Sequence, residues 1–198
     1  AVQYRPGTRL KIGDVVEGGA TLELLFKQGD ARNAIGHKGP WDYVVLQEQS
    51  MRPIVAPQSM YEFVDDFAAD TRNAGARLAL YETWADKAHP ENQQALTNTY
   101  MTAAARSSAI LVRVGDAFQL CRREHPEINL YYPDDKHPGP YGTYLAACLF
   151  YEKLLNASCE GAPGDLWVED PGTHMKKPLM TVPSEVARNL QAIARRCY

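Results

Sequence analysis

The chain reads as an α/β protein, a parallel sheet sandwiched by helices. Three observations carry that reading. Short β-rich runs alternate with helical stretches, the pattern of strands joined by crossover helices. One run, "DYVVLQ" (42–47), is almost continuously apolar, as in a strand covered on both faces. The 198 residues, 45% hydrophobic and 23% charged, suit one domain with a real core spanning 1–198.

The elements follow in order. "RLKIGDVV" (9–16), "DYVVLQ" (42–47), "RLALYE" (77–82) and a weaker "INLYY" (128–132) read as strands, being β-branched or aromatic and bounded by turn residues. Residues 59–75 place Met60, Phe63, Val64, Phe67 and Ala68 at a helical period, with Ser59 as N-cap and Gly75 as stop. Residues 92–109 form a second helix and 141–156 a third. A fourth covers 184–197, capped by Ser184. Residues 157–183, rich in Gly and Pro, read as a long surface excursion.

Composition excludes several classes. A net charge of −3 with no basic block argues against nucleic acid or an acidic membrane as partner. No apolar run approaches the roughly 18 residues of a membrane span. No signal peptide is visible, which leaves the compartment open, a periplasmic or secreted mature form included. The four cysteines form no CxxC pair, so zinc ribbons and thioredoxin motifs are not expected. Cys148 reads as a core residue, whereas Cys159 and Cys197 are a candidate disulfide in an exported protein.

In such sheets functional groups gather beyond the carboxyl ends of the strands. "YYPDDKHPGPYGTYLAA" (131–147) sets Asp134 three residues before His137, then Pro and Gly, then an apolar helix. A basic imidazole needs its tautomer fixed by an acceptor on the far ring nitrogen, and Asp134 can serve locally, with Asp135 as the nearer alternative. The plainer reading is a polar loop that caps a helix. "EGGAT" (17–21) follows the first strand; its glycines can turn backbone N–H groups toward a bound oxyanion, or simply make a tight turn. "QEQS" (47–50) ends the second strand with two amides and a carboxylate. An amide can donate to an oxyanion, and polar groups ending so apolar a strand need a reason.

The order Gly turn, amide at strand end, Asp-x-x-His before the last long helix resembles the SGNH hydrolases, serine esterases and lipases of flavodoxin-like, three-layer α/β/α fold. "WDYVVLQEQS" (41–50) and "DDKHPGPYGTYLAA" (134–147) are similar to a subgroup with Gln in place of the usual Asn of the third block, and "LYETWA" (80–85) fits the strand between them. The resemblance covers most of residues 9–156. It implies His137 as general base and Asp134 as its orienter. It makes Gly19, or Gly18, a backbone oxyanion donor, and Gln49 the side-chain donor, with Gln47 as substitute. Tyr81 and Trp84 would line the acyl or alcohol pocket, or belong to the core. Ser50 falls in the third block and reads as a supporting hydrogen-bonder.

The first block of the family, Gly-Asp-Ser or Gly-Asn-Ser on a central strand, carries the nucleophile and is not found in these residues. "AVQYRPGTRL" (1–10) looks like the helix that follows it. In the family its strand would lie between the strands read at 9–16 and 42–47, whose facing edges need a partner. The expectation is a segment or second chain that supplies the Ser. The alternatives are a permuted arrangement in which "PLMTVPSEVARNL" (178–190) brings Ser184, or loss of the nucleophile. The resemblance thus implies hydrolysis of small acyl esters, acetylated carbohydrate included, without a cofactor. Its rivals are a carbohydrate- or partner-binding module, and a metal hydrolase built on Asp134, Asp135, His137 and His174.

Overall fold

The computed structural model describes residues 10–169 and 172–198. The chain folds as two compact units. Among the described residues, one comprises 11–85 and 89–115; the other comprises 86–88 and 116–198 together with Leu10.

The first unit opens with α1 (Leu22–Gln28). Its N-cap Thr21 accepts a hydrogen bond from Leu24 N–H at 3.2 Å, and Gly29, at φ 86°, breaks it from α2 (Asp30–His37). Next come β1 (Tyr43–Leu46), α3 (Arg52–Val55), α4 (Pro57–Asn73), β2 (Arg77–Tyr81), α5 (Gln93–Ser107) and β3 (Ile110–Val112). The three strands pair in parallel in the order β1-β2-β3, with Leu80 opposite Leu46 on one side and Leu111 on the other. Central β2 buries Leu78, Ala79 and Leu80, and α4 brings Met60, Val64 and Phe67 into the same core. Burying each of the large ones is worth about 1.5–3 kcal/mol. Phe26 of α1 meets Phe67 edge-on, ring centroids 5.1 Å apart.

The second unit holds α6 (Val114–Glu124) from Asp116 onward, α7 (Pro140–Leu155), the antiparallel pair β4 (Asp165–Glu169) and β5 (Lys176–Thr181), and α8 (Ser184–Arg196). α7 and α8 bury Leu145, Leu149, Leu190 and Ile193. An ion pair between Arg196 and Glu124 ties α8 to α6, and that contact holds the Glu124 carboxyl down to about 2.

Strands 42–47 and 77–82, and helices 59–75, 92–109, 141–156 and 184–197, form within a few residues of their expected bounds. Other expectations change. Residues 10–16 make no strand, because no neighbour among the described residues pairs with their backbone; Ile12 and Val16 are about four-fifths exposed. Arg9, and most of the helix read at 1–10, lie outside the described residues. Residues 128–132 form only an isolated bridge, Tyr131 with Pro138, since the chain doubles back on itself there. Helices α1, α2, α3 and α6 and strand β3 are additional. Ser59 does not cap α4, which starts at Pro57 after Ala56; its hydroxyl accepts from Arg52 instead. Ser184 opens α8 as its first residue, with Pro183 at the cap and no side-chain capping bond. The excursion at 157–183 contains the β4–β5 hairpin. β5 therefore pairs antiparallel with β4 and lies outside the parallel sheet, which removes the permuted arrangement for Ser184. Asp170 and Pro171 of that excursion lie outside the described residues. Cys159 is buried and Cys197 half-buried, and no disulfide joins them.

Candidate active site

The loop before α7 is built from its backbone outward. Leu130 C=O accepts from Gly139 N–H at 2.8 Å, and His137 C=O accepts from Tyr132 N–H at 2.8 Å. These two bonds fold 133–137 into a closed turn. A Cβ on Gly139 would stand 2.8 Å from the Tyr131 carbonyl oxygen, so only glycine allows this approach. Pro140 then takes the first position of α7, where a missing N–H costs nothing. Tyr131 is anchored from the other side: its ring meets Phe118 edge-on at 5.6 Å and its hydroxyl accepts from Arg122 at 3.2 Å.

Within this turn the Asp134 carboxylate has two tasks. Oδ1 accepts from the backbone N–H groups of Lys136 (3.0 Å) and His137 (2.9 Å); Oδ2 lies 2.6 Å from His137 Nδ1. The imidazole contact, followed by the two backbone bonds, holds the Asp134 carboxyl down to about 2. The carboxylate is therefore ionised at neutral pH and can only accept, so Nδ1 carries the proton and Nε2 bears the lone pair. The ring is well exposed, with its side chain 78% accessible. Asp135 stands at φ 57° and pairs with Lys87 at 3.0 Å, so Asp134 is the residue on the imidazole. α7 starts after Gly139 at the cap, so neither acid caps that helix.

The other candidates lie in the first unit. Gly19, at φ 75°, sits in an exposed turn closed by Ala20 N–H donating to Glu17 C=O at 3.1 Å. Its own N–H has no hydrogen-bond partner among the described residues, and neither has that of Gly18. At the end of β1, Gln49 Oε1 accepts from the N–H groups of Met51 (2.9 Å) and Arg52 (3.0 Å), at the start of α3. Fixing the oxygen this way leaves the amide NH₂ as a donor. Gln47 and Ser50 are exposed. Tyr81 and Trp84 are half-buried and pack on each other, centroids 6.1 Å apart, and burial raises the Tyr81 phenol above its usual range.

Glu48 was not singled out by sequence reasoning, although a carboxylate between two amides at the end of an apolar strand was a signal. It is 2% exposed and is bound by backbone N–H groups from two segments. Tyr100, whose hydroxyl accepts from Glu48 N–H at 3.2 Å, gave no signal at all. The metal set Asp134, Asp135, His137 and His174 is not brought together: Asp135 turns to Lys87, and His174 pairs with Glu169 at 2.9 Å. Among the described residues no group of three or more His, Cys, Asp or Glu is placed to hold a metal ion. No helix among them is long and apolar enough to cross a membrane.

Neither a family model nor a curated protein matches the chain. A solved structure does, one described as "a putative SGNH hydrolase from Slackia heliotrinireducens". It is 26% identical, with a TM-score of 0.58 over 69% of this chain and 80% of that one. The chain has an SGNH-like fold of the flavodoxin-like α/β/α class.

Proposed function

We propose that the chain is a serine ester hydrolase of SGNH type, acting on small acyl esters such as acetylated carbohydrate by two-step acyl transfer. The single observation that carries this reading is the 2.6 Å contact between His137 Nδ1 and an ionised Asp134, which leaves Nε2 free as a base. The likeness to a described hydrolase supports it.

In this reading a Ser hydroxyl attacks the ester carbonyl while His137 Nε2 takes its proton. The imidazolium, steadied by Asp134, passes that proton to the leaving alcohol. Water then attacks the acyl-enzyme by the same route and frees the acid. Gly19 N–H and the Gln49 amide hold the oxyanion, each such donor being worth about 100- to 1,000-fold in rate. The Ser comes from a polypeptide segment outside these 198 residues, seated beside β1. Among the described residues that strand pairs with β2 at the end of the sheet, and its Val45 is 43% exposed.

The test is labelling of the purified protein with a fluorophosphonate probe, followed by peptide mapping. The expected result is one labelled Ser on a co-purifying segment, and loss of the label in His137→Ala. Labelling that survives His137→Ala would sink the dyad's role. No labelled Ser at all would turn the reading to the non-catalytic binding module.

A further inference from the structure

We infer that Glu48 is a positioning residue whose carboxylate joins the Gly18–Thr21 turn to the end of β1, so that the two proposed oxyanion donors are held as one piece. One oxygen, Oε1, accepts from Leu22 N–H at 3.1 Å and from Gln49 N–H at 2.7 Å. Leu22 is the first residue of α1, directly after the turn that presents Gly18 and Gly19. Gln49 is the residue whose side-chain oxygen is held by the N–H groups of Met51 and Arg52, which leaves its NH₂ as a donor. Leu22 and Glu48 are 26 residues apart in sequence, and this oxygen joins their backbones beside the Arg52–Glu23 ion pair. Behind it, Glu48 N–H donates to the hydroxyl of Tyr100, a side chain with no solvent exposure, so the linking residue is itself held from the core.

An acid is a costly choice for this place. Burial disfavours its ionised form and pushes its carboxyl up, against the pull of the two N–H bonds and of Arg52. An apolar residue would leave two backbone N–H groups without an acceptor at a nearly dry site. What the position requires is an oxygen reaching two donors at once, and this the amide of glutamine also provides. The role therefore depends on the acceptor and its reach rather than on charge.

This inference rests on the proposed roles of Gly19 and Gln49, and its test separates the two. Amide hydrogen exchange at Leu22 and Gln49, and the side-chain NH₂ resonance of Gln49, are read by NMR in wild type, Glu48→Gln, Glu48→Ala and Glu48→Asp. Turnover of p-nitrophenyl acetate is measured on the same proteins with the nucleophile segment present. Glu48→Gln is expected to keep both amides protected and kcat within about threefold. Glu48→Ala is expected to speed exchange at both amides about tenfold or more, to move the Gln49 NH₂ resonance, and to lower kcat about 10- to 100-fold with KM unchanged. Glu48→Asp, one methylene shorter, should show the same split and stands in if the alanine variant fails to fold. Unaltered protection at Leu22 and Gln49 in the alanine or aspartate variant overturns the inference, as does a raised KM with kcat intact. A wild type without turnover sinks the hydrolase reading alone; exchange and the Gln49 resonance then still decide whether Glu48 positions that amide.

Discussion

At the scale of single residues, the informative group is Asp134. Its two oxygens divide the work: one closes the turn on the N–H groups of Lys136 and His137, the other meets the imidazole. Its carboxyl lies at about 2, below the ordinary 3.8, so the pairing favours the folded loop above pH 3.8 and is lost as pH falls toward 2. Hence the acid limb of a pH–rate profile above pH 4 is not set by Asp134. In Asp134→Asn the amide can offer an NH₂ to the ring and select the wrong tautomer. Ester turnover is then expected to fall about 10³- to 10⁴-fold, with the exchange of the Lys136 amide little changed. A loss below tenfold at pH 7 would remove Asp134 from the orienting role.

At the scale of elements, the pairing of α7 with α8 is braced by a cluster of polar side chains. Gln191, 4% exposed on α8, donates from Nε2 to Tyr144 hydroxyl at 2.7 Å and to Ala162 C=O at 2.9 Å, and its Oε1 accepts from Gly161 N–H at 2.9 Å. Cys159 N–H meets Glu152 Oε1 at 3.0 Å in the same cluster. Thus the segment after α7 is folded back by side chains of both helices. Gln191→Ala removes three hydrogen bonds made by a buried side chain, and urea unfolding should show a loss of about 1–3 kcal/mol with an unchanged slope. An unaffected midpoint would mean that solvent replaces these bonds. Gly142 carries the other constraint: a Cβ there would press into the Leu130 carbonyl and stand 2.7 Å from Phe118. Glycine is what lets α7 approach the strand-like segment that leads into the loop.

At the scale of the whole molecule, net charge and the open sheet edge act together. The chain has a pI near 6.0, so repulsion between copies is weakest there. Among the described residues β1 ends the parallel sheet, and Ile12, Val16, Val45, Met51 and Val55 are exposed in the same unit. Edge strands of this kind pair with other strands unless charge or cover prevents it. Light scattering between pH 5 and 8 should show the fastest association near pH 6, and Val45→Lys should slow it at every pH. Equal rates in that variant would place association elsewhere.

What could be read from sequence was what is local. Asp134 and His137 meet because three residues and one turn separate them, and Pro-Gly-Pro after the histidine states how the turn ends. The apolar runs of β1 and β2 and the periods of α4, α7 and α8 likewise need no distant partner to be legible. Tertiary structure decided whatever depends on a neighbour far along the chain. Residues 10–16 have strand composition and form no strand, because a ladder needs a second backbone. Short helices such as α1 and α2 are marginal alone and exist by packing on α4. Ser59 and Ser184 look like caps, yet α4 starts at Pro57 and Ser184 is already the first helical residue of α8. Glu48 became visible only when Leu22 arrived from 26 residues away to share its oxygen with Gln49. Backbone hydrogen-bonding demand is written into every residue, but which group meets it is settled by the fold.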